Sequence, residues 1–370
     1  MIPVNTPKLD GNERKYLNEC IDSGWISSEG PFVTRFENEF STYIGRAFGI
    51  ATANGSAALD IAVKAIGITN SDEVIMPTFT IISPAQSVTR QGGVPVLVDS
   101  CADTWNMDAA QIEAKITEKT KAILVVHIYG LPVDMDPILS IANKYNLKII
   151  EDAAEMHGQT YKNKKCGSFG DISIFSFYPN KHITTGEGGM ILTDNPDISE
   201  KCKELRNLCF QPKKRFVHEE LGWNYRMTNL QAALGLAQLE KIKESIIRKR
   251  KIGTLYNNLL SKIKGYSLPL QRTEYSENIY WVYGIVANPD APVSAETIQK
   301  KLEEKKIGTR PFFWCMHEQP IFRKMGLFLN EKHPVSEYMA RNGFYLPSGL
   351  GITNKDIEIV ATALKSIIDN

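Results

Sequence analysis

Between residues 73 and 193 the chain alternates short apolar runs with amphipathic stretches, and this rhythm limits the fold more than any other feature of the sequence. Strand-like runs occur at 73–76, 94–98, 122–127, 147–150, 172–177 and 190–193, most of them nearly continuously apolar. Helical stretches fall between them at 83–91, 109–116 and 135–145. A strand with no polar face must be covered on both sides, which predicts an α/β fold with a mainly parallel sheet between helices. Ligands of such sheets bind beyond the carboxyl ends of the strands. In this reading Asn54, the 77–81 segment, His127, Asp152 and Ser176 stand there.

The flanking regions add elements around that sheet. An arm leads into a helix from Glu13 to Ser23, then a turn, GWISSEGP, in which Trp25 anchors the arm, then a core-facing stripe at Phe32, Phe36, Phe40 and Tyr43. A strand over 49–53 turns through Asn54-Gly55-Ser56-Ala57 into a helix. Gly55 permits close approach of backbone, Ser56 is a capping residue type, and the first N–H groups of the helix are free to meet an anion. Such junctions often bind nothing, so this one gains force only from its neighbours. Asn224 and Arg226 precede a helix with Leu230, Ala233, Leu234 and Ala237 on one side, and on their own read as turn residues ahead of loop ligands. The run Arg248-Lys249-Arg250-Lys251 reads as a solvated helix face, since no aromatics interleave it.

At 370 residues the chain exceeds what a single core usually holds. A large domain over 1–250, with the arm, and a small α+β domain over 251–370 are expected, the latter with a strand at 279–286, a helix at 294–305, a strand at 307–313 and a closing helix at 354–368. With 43 basic and 42 acidic residues, nothing in the charge calls for nucleic acid or an anionic membrane as partner. The six cysteines are scattered without CxxC or Cys/His spacing, so free thiols in a reducing compartment and no metal site are expected. The amino end lacks a signal pattern and no apolar run approaches a membrane span, so a cytoplasmic protein is expected.

The chemistry concentrates in residues 147–189. One strand delivers Glu151 and Asp152 at its end, the next delivers Ser176, and a Tyr178-Pro179-Asn180 turn presents Lys181 just before the Gly-rich segment 186–189. A lysine for a Schiff base, an aspartate for a ring nitrogen and a hydroxyl for a phosphate together suit pyridoxal 5'-phosphate (PLP). A dinucleotide site is a poorer reading, because Gly186-Glu-Gly-Gly precedes a strand and lacks GxGxxG spacing.

Taken in order, the segments NGSAAL, DEVIMPTFT, PVLVD, HIYGLPVDMDPI, IIEDAAE, GSFGDISIFSF, TTGEGGM, GWNYRMTNLQAALGLAQLE and TRPFF resemble the DegT/StrS-type nucleotide-sugar aminotransferases, a branch of the fold-type I PLP enzymes, nearly end to end. The LDGNER start, WISS, TTGEGGM and NYRMTN look most like members that aminate C4 of a GDP-linked 4-keto-6-deoxy sugar. The resemblance implies that Lys181 binds the cofactor covalently, Asp152 pairs with the ring nitrogen, and Ser176 with Gly55, Ser56 and Ala57 holds the phosphate. It implies that Glu155 contacts the ring hydroxyl or orders its surroundings, and that Asn224 reaches the phosphate of a neighbouring subunit, so that a homodimer shares its active sites. Arg310, Trp314 and His317 fall where the family meets its sugar, and glutamate is the implied amino donor.

Three departures stand out. Ile81 occupies the place of an aromatic that stacks on the ring, which implies an apolar lid. Trp314-Cys315-Met316-His317 lacks the family's proline. The turn before Lys181 resembles that of a related sugar 3-dehydratase, which has histidine where this chain has lysine, and lysine favours transamination. The alternatives are amination of another keto sugar, at C3 or on a dTDP or UDP carrier, and a PLP-binding regulator without turnover.

Overall fold

The computed structural model describes residues 1–211 and 214–369. Its central sheet has seven strands in the order Phe48–Thr52, Gly189–Thr193, Ile172–Ser176, Lys148–Asp152, Thr120–Val126, Glu73–Pro77, Val94–Val98. Gly189–Thr193 pairs antiparallel with both neighbours, and the remaining pairings are parallel. The expected mainly parallel α/β sheet is therefore present.

The apolar character of the strands is explained by which face each side chain takes. Ala51, Ile75, Ile123, Val125, Ile149, Phe175, Met190 and Leu192 pack into one core, while Ile50, Val74, Met76, Leu124, Ile150, Ile174 and Ile191 pack into another. Side chains alternate along a strand, so each strand feeds both layers and both faces are mainly apolar. Each such burial contributes roughly 1.5–3 kcal/mol. Helices Pro31–Ile44 and Asn229–Glu240 belong to the first core, and Gly55–Ala65 and Ser83–Arg90 to the second.

A second sheet orders Tyr266–Ser267, Tyr283–Ala287, Gly343–Leu346 and Arg310–Pro311, all antiparallel, over helices Ala295–Glu304 and Asn354–Ile368. The division expected between residues 250 and 251 lies inside one continuous helix, Ile242–Leu260. The arm, expected with the larger unit, pairs with the smaller sheet's surroundings as well. Ile2 bridges Ile307, Ser348 N–H donates to the Val4 carbonyl at 3.2 Å, and Gly351 N–H to that of Thr6 at 2.9 Å.

Four local readings need correction. The helix read over 109–116 is two 3-10 turns, Ala109–Gln111 and Glu113–Lys115, because Asp108 caps Ala110 and Ile116 is already extended, which leaves too few residues to nucleate an α-helix. The strand read over 307–313 shrinks to Arg310–Pro311, where proline has no N–H for a ladder. The strand read from 279 begins at Tyr283, since Tyr280 has a left-handed backbone with φ 51°. Lys249, read as solvated, is buried, in helical phase with Ile252, Tyr256 and Leu260. All six cysteines are free, and among the described residues no helix is long and apolar enough to cross a membrane.

Candidate active site

A cavity of about 580 Å³ opens at the carboxyl ends of the parallel strands, lined by Gly55, Ser56, Thr80, Ile81, Asp152, Glu155, Ser176 and Lys181 among others. Strand ends deliver three of these directly. Asp152 closes Lys148–Asp152, Ser176 closes Ile172–Ser176, and Gly55 opens the helix that follows Phe48–Thr52.

Adjacent carboxylates at one strand end take opposite tasks, because consecutive side chains face opposite sides of the sheet. Glu151 is fully buried away from the cavity. Its Oε1 accepts from Gly167 N–H at 2.5 Å and lies 3.1 Å from His127 Nε2, while Oε2 accepts from Phe169 N–H at 2.8 Å and Gly170 N–H at 3.1 Å. Burial pushes its pKa up, but the His127 bond and the backbone N–H groups outweigh that and hold it below the ordinary range. His127 is thereby absorbed into the scaffold, its Nδ1 accepting from Val133 N–H at 3.0 Å. Among the described residues the Asp152 carboxylate, which faces the cavity, accepts one backbone N–H, that of Ala154 at 3.0 Å, so burial dominates and raises it to about 6.

Lys181 is set by a tight turn in which its own N–H donates to the Tyr178 carbonyl at 2.9 Å. Its Nζ lies 3.8 Å from Glu155 Oε1 and 3.7 Å from the centroid of the Trp281 ring. Burial lowers its pKa, opposed by Glu155 and then Asp152. Burial likewise raises Glu155 to about 8, although Lys181 pulls the other way and Tyr129 N–H donates to Oε2 at 2.7 Å. An amine whose pKa burial lowers and two carboxyls whose pKa values burial raises thus face one cavity.

The phosphate-sized end needs a correction to how the helix begins. Asn54, not Ser56, is the N-cap, and its side chain already accepts from Ala57 N–H at 2.8 Å. The Ala57 N–H is spent on the Asn54 cap in this structure, so the N–H groups of Gly55 and Ser56 are the more open anion donors of the three. Ser56 Oγ lies 2.8 Å from Ser83 Oγ at the rim. A Cβ on Gly55 would come within 2.8 Å of Ser176 Cβ, so glycine is required here by close approach.

The remaining expected residues divide. Ile81, 49% exposed, stands at the cavity mouth. Arg310 lines an adjoining space of about 230 Å³ with Asn5, Asn180, Trp281 and Tyr345. Asn224 is exposed, bridged to Asn207, and does not line its own chain's cavity. Trp314, 44% exposed, lies under Arg341 rather than in the cavity. His317 does not line it either: the ring is buried, Nδ1 2.7 Å from Thr78 Oγ1 and Nε2 3.1 Å from Glu337 Oε1, so both nitrogens are occupied. Sequence reasoning missed Trp281, Phe313 and Tyr345, which the smaller sheet and its flanks bring to the cavity. Trp281 carried no signal as a site residue because, placed inside a strand, its ring would belong to the sheet.

Residues 7–365 match the model of the DegT/DnrJ/EryC1/StrS aminotransferase family. A relative from Caulobacter vibrioides, named GDP-perosamine synthase, is 42% identical over 99% of this chain and 98% of its own. One of the same name from Escherichia coli O157:H7 is 39% identical over 98% of this chain and 97% of its own. The crystal structure of the aminotransferase TlmJ from Streptoalloteichus hindustanus superposes with a TM-score of 0.93 at 24% identity, covering 100% of this chain and 99% of that one, a likeness of fold.

Proposed function

The chain belongs to the DegT/DnrJ/EryC1/StrS aminotransferase family, and from that premise we propose that it moves the amino group of glutamate to C4 of a GDP-linked 4-keto-6-deoxy sugar. Pyridoxal phosphate is the cofactor. The observation that carries the substrate reading is the end-to-end match to a relative named GDP-perosamine synthase at 42% identity. The cavity supports the cofactor's fit on its own terms. Thr80 Oγ1 and Asn180 Oδ1 are buried there without a partner among the described residues, and Gly55 lets the helix start lie directly against Ser176.

When bound, the cofactor supplies an aldehyde that takes up the amino group and a ring that accepts the electron pair left on carbon. The chain's residues have the following proposed tasks. Ser176 Oγ and the N–H groups of Gly55 and Ser56 bind the phosphate at a helix N-terminus. Asp152 holds a proton on the ring nitrogen through a charge-assisted bond, and that cation in turn lowers the pKa that burial had raised. Lys181 Nζ takes a proton from the donor's α carbon and delivers one to the sugar carbon. Glu155, near neutrality at physiological pH, offers a proton to the ring hydroxyl. Arg310, in the adjoining space, faces the diphosphate side. Ile81 closes the mouth against water.

Two finer points belong to the same reading. Asn224, exposed and remote from its own cavity, serves the cavity of a second copy, so the working unit is a homodimer, and it works in the cytoplasm. The test is a panel of GDP-, dTDP- and UDP-linked 4-keto sugars with glutamate as donor, using Lys181→Ala as the inactive control. Turnover of the GDP-linked sugar well ahead of the others is expected. Preference for another carrier refutes the substrate, and full activity of Lys181→Ala refutes the assignment of the lysine.

A further inference from the structure

Lys249 carries an amine into the core, meets no carboxylate among the described residues, and has its pKa lowered by burial to about 7. It is 2% exposed on the helix Ile242–Leu260. Its Nζ donates to two backbone carbonyls, that of Trp281 at 2.9 Å and that of Ser348 at 2.5 Å. An unpaired buried lysine is costly, and an apolar side chain of the same length would fill the space more cheaply. What lysine adds is a grip on the Trp281 main chain. The ring of Trp281 is gripped separately, because its Nε1–H donates to the Asn180 carbonyl at 2.9 Å, one residue before Lys181. Tyr280, left-handed at φ 51°, turns the backbone just before Trp281, ahead of the strand that starts at Tyr283. With backbone and ring both fixed, the indole face lies 3.7 Å from Lys181 Nζ.

We propose that Trp281 is a catalytic residue that seats the amine of Lys181 in its protonated form, and that Lys249 is the positioning residue that fixes this seat. The inference rests on the reading that Lys181 is the lysine that reacts with the cofactor. An aromatic face attracts an ammonium and not a neutral amine, and does so most strongly where water is excluded. Glu155 and then Asp152 favour the ammonium of Lys181 against burial, which disfavours it, while the nearby His157 and His182 are held neutral, chiefly by their own burial. The help from Glu155 varies with pH because that carboxyl itself titrates at about 8. The indole does not titrate, so it supplies a constant hold on the proton that Lys181 must keep and then release.

The measurement uses full-length protein freed of cofactor. Only the neutral amine adds to the aldehyde of added PLP, with loss of water, so the rate at which the visible band develops rises through the pKa of Lys181. Trp281→Leu is expected to lower that midpoint by about one pH unit. Trp281→Phe, which keeps a smaller ring, lowers it by less, and decides the matter if the leucine variant does not fold. A midpoint unchanged from the parent in a folded Trp281 variant overturns the seat. Lys249→Met moves the midpoint in the same direction when Trp281 is present and adds nothing in a Trp281→Leu background. Equal shifts in both backgrounds remove Lys249 from the proposal, with Lys249→Gln as the substitute should the methionine variant not fold. A parent protein that forms no band with PLP defeats the assignment of Lys181 itself; a band with an immobile midpoint defeats the seat alone.

Discussion

Glu151 and Asp152, neighbours in sequence, should respond oppositely to the same chemical change. In Glu151→Gln, four donors that now share two carboxylate oxygens would find one carbonyl oxygen and one NH2. His127 has no escape by switching tautomer, since its Nδ1 is already the acceptor for Val133 N–H. Two buried donors are left without acceptors at about 1–3 kcal/mol each, so a loss of about 2–6 kcal/mol is expected. In Asp152→Asn the amide oxygen keeps the Ala154 bond and the charge is removed. The carboxyl's folded pKa of about 6 against an ordinary 3.8 means that charging it in the cofactor-free fold costs up to roughly 3 kcal/mol. With the folded pKa raised, the folded state binds more protons, and stability falls as pH climbs from about 3.8 to about 6 and stays low above that. The asparagine variant should therefore be as stable as the parent or more so at pH 8, with an advantage that shrinks by pH 5, while losing transamination. Urea unfolding of cofactor-free proteins, followed by tryptophan fluorescence at both pH values, measures this. A Glu151→Gln protein as stable as the parent, or an Asp152→Asn protein less stable than Glu151→Gln, would refute the division of labour.

Two further outcomes follow from the site. Gly55→Ala places a methyl 2.8 Å from Ser176 Cβ, and overpacking of roughly 1–3 kcal/mol predicts PLP affinity weakened by about tenfold or more, read by equilibrium dialysis; unchanged affinity removes Gly55 from the cradle. Co-expression of Lys181→Ala with Asn224→Asp subunits should restore part of the activity that each lacks alone, because one mixed cavity is intact. Recovery absent from a confirmed mixed dimer contradicts the shared site.

What the sequence disclosed depended on whether local physics was sufficient. The helices Glu13–Ser23, Met135–Tyr145 and Asn354–Ile368 carry their stripes and stops within themselves, and their bounds agree to the residue with the periodicity. The strand end bearing Asp152 was legible because an apolar run that stops at polar residues is a local signal, and Ser176 because it falls near the end of the next run, read one residue too long at 177. The bond from Ala57 to Asn54 was not legible, because capping is a contest between Asn54 and Ser56 that only dihedrals decide. Lys249 was misjudged by its charge, although its helical phase with Ile252 and Tyr256 already placed it on the buried side. His317 and Trp281 depend on contacts across more than 100 residues, to Thr78 and Asn180 respectively, which no local pattern encodes.

The opening residues have a practical bearing. Ile2, Val4 and Thr6 fasten the amino end to the smaller sheet's flanks, and the Asn5 side-chain amide donates to the Pro179 carbonyl at 2.9 Å, two residues ahead of the lysine. A preparation clipped by protease just after Thr6 would keep its cores and elute as an intact particle, yet its reactive turn would have lost a tether. Batches that differ in rate at equal concentration are thus to be checked first by intact mass at this end, and only then for cofactor content.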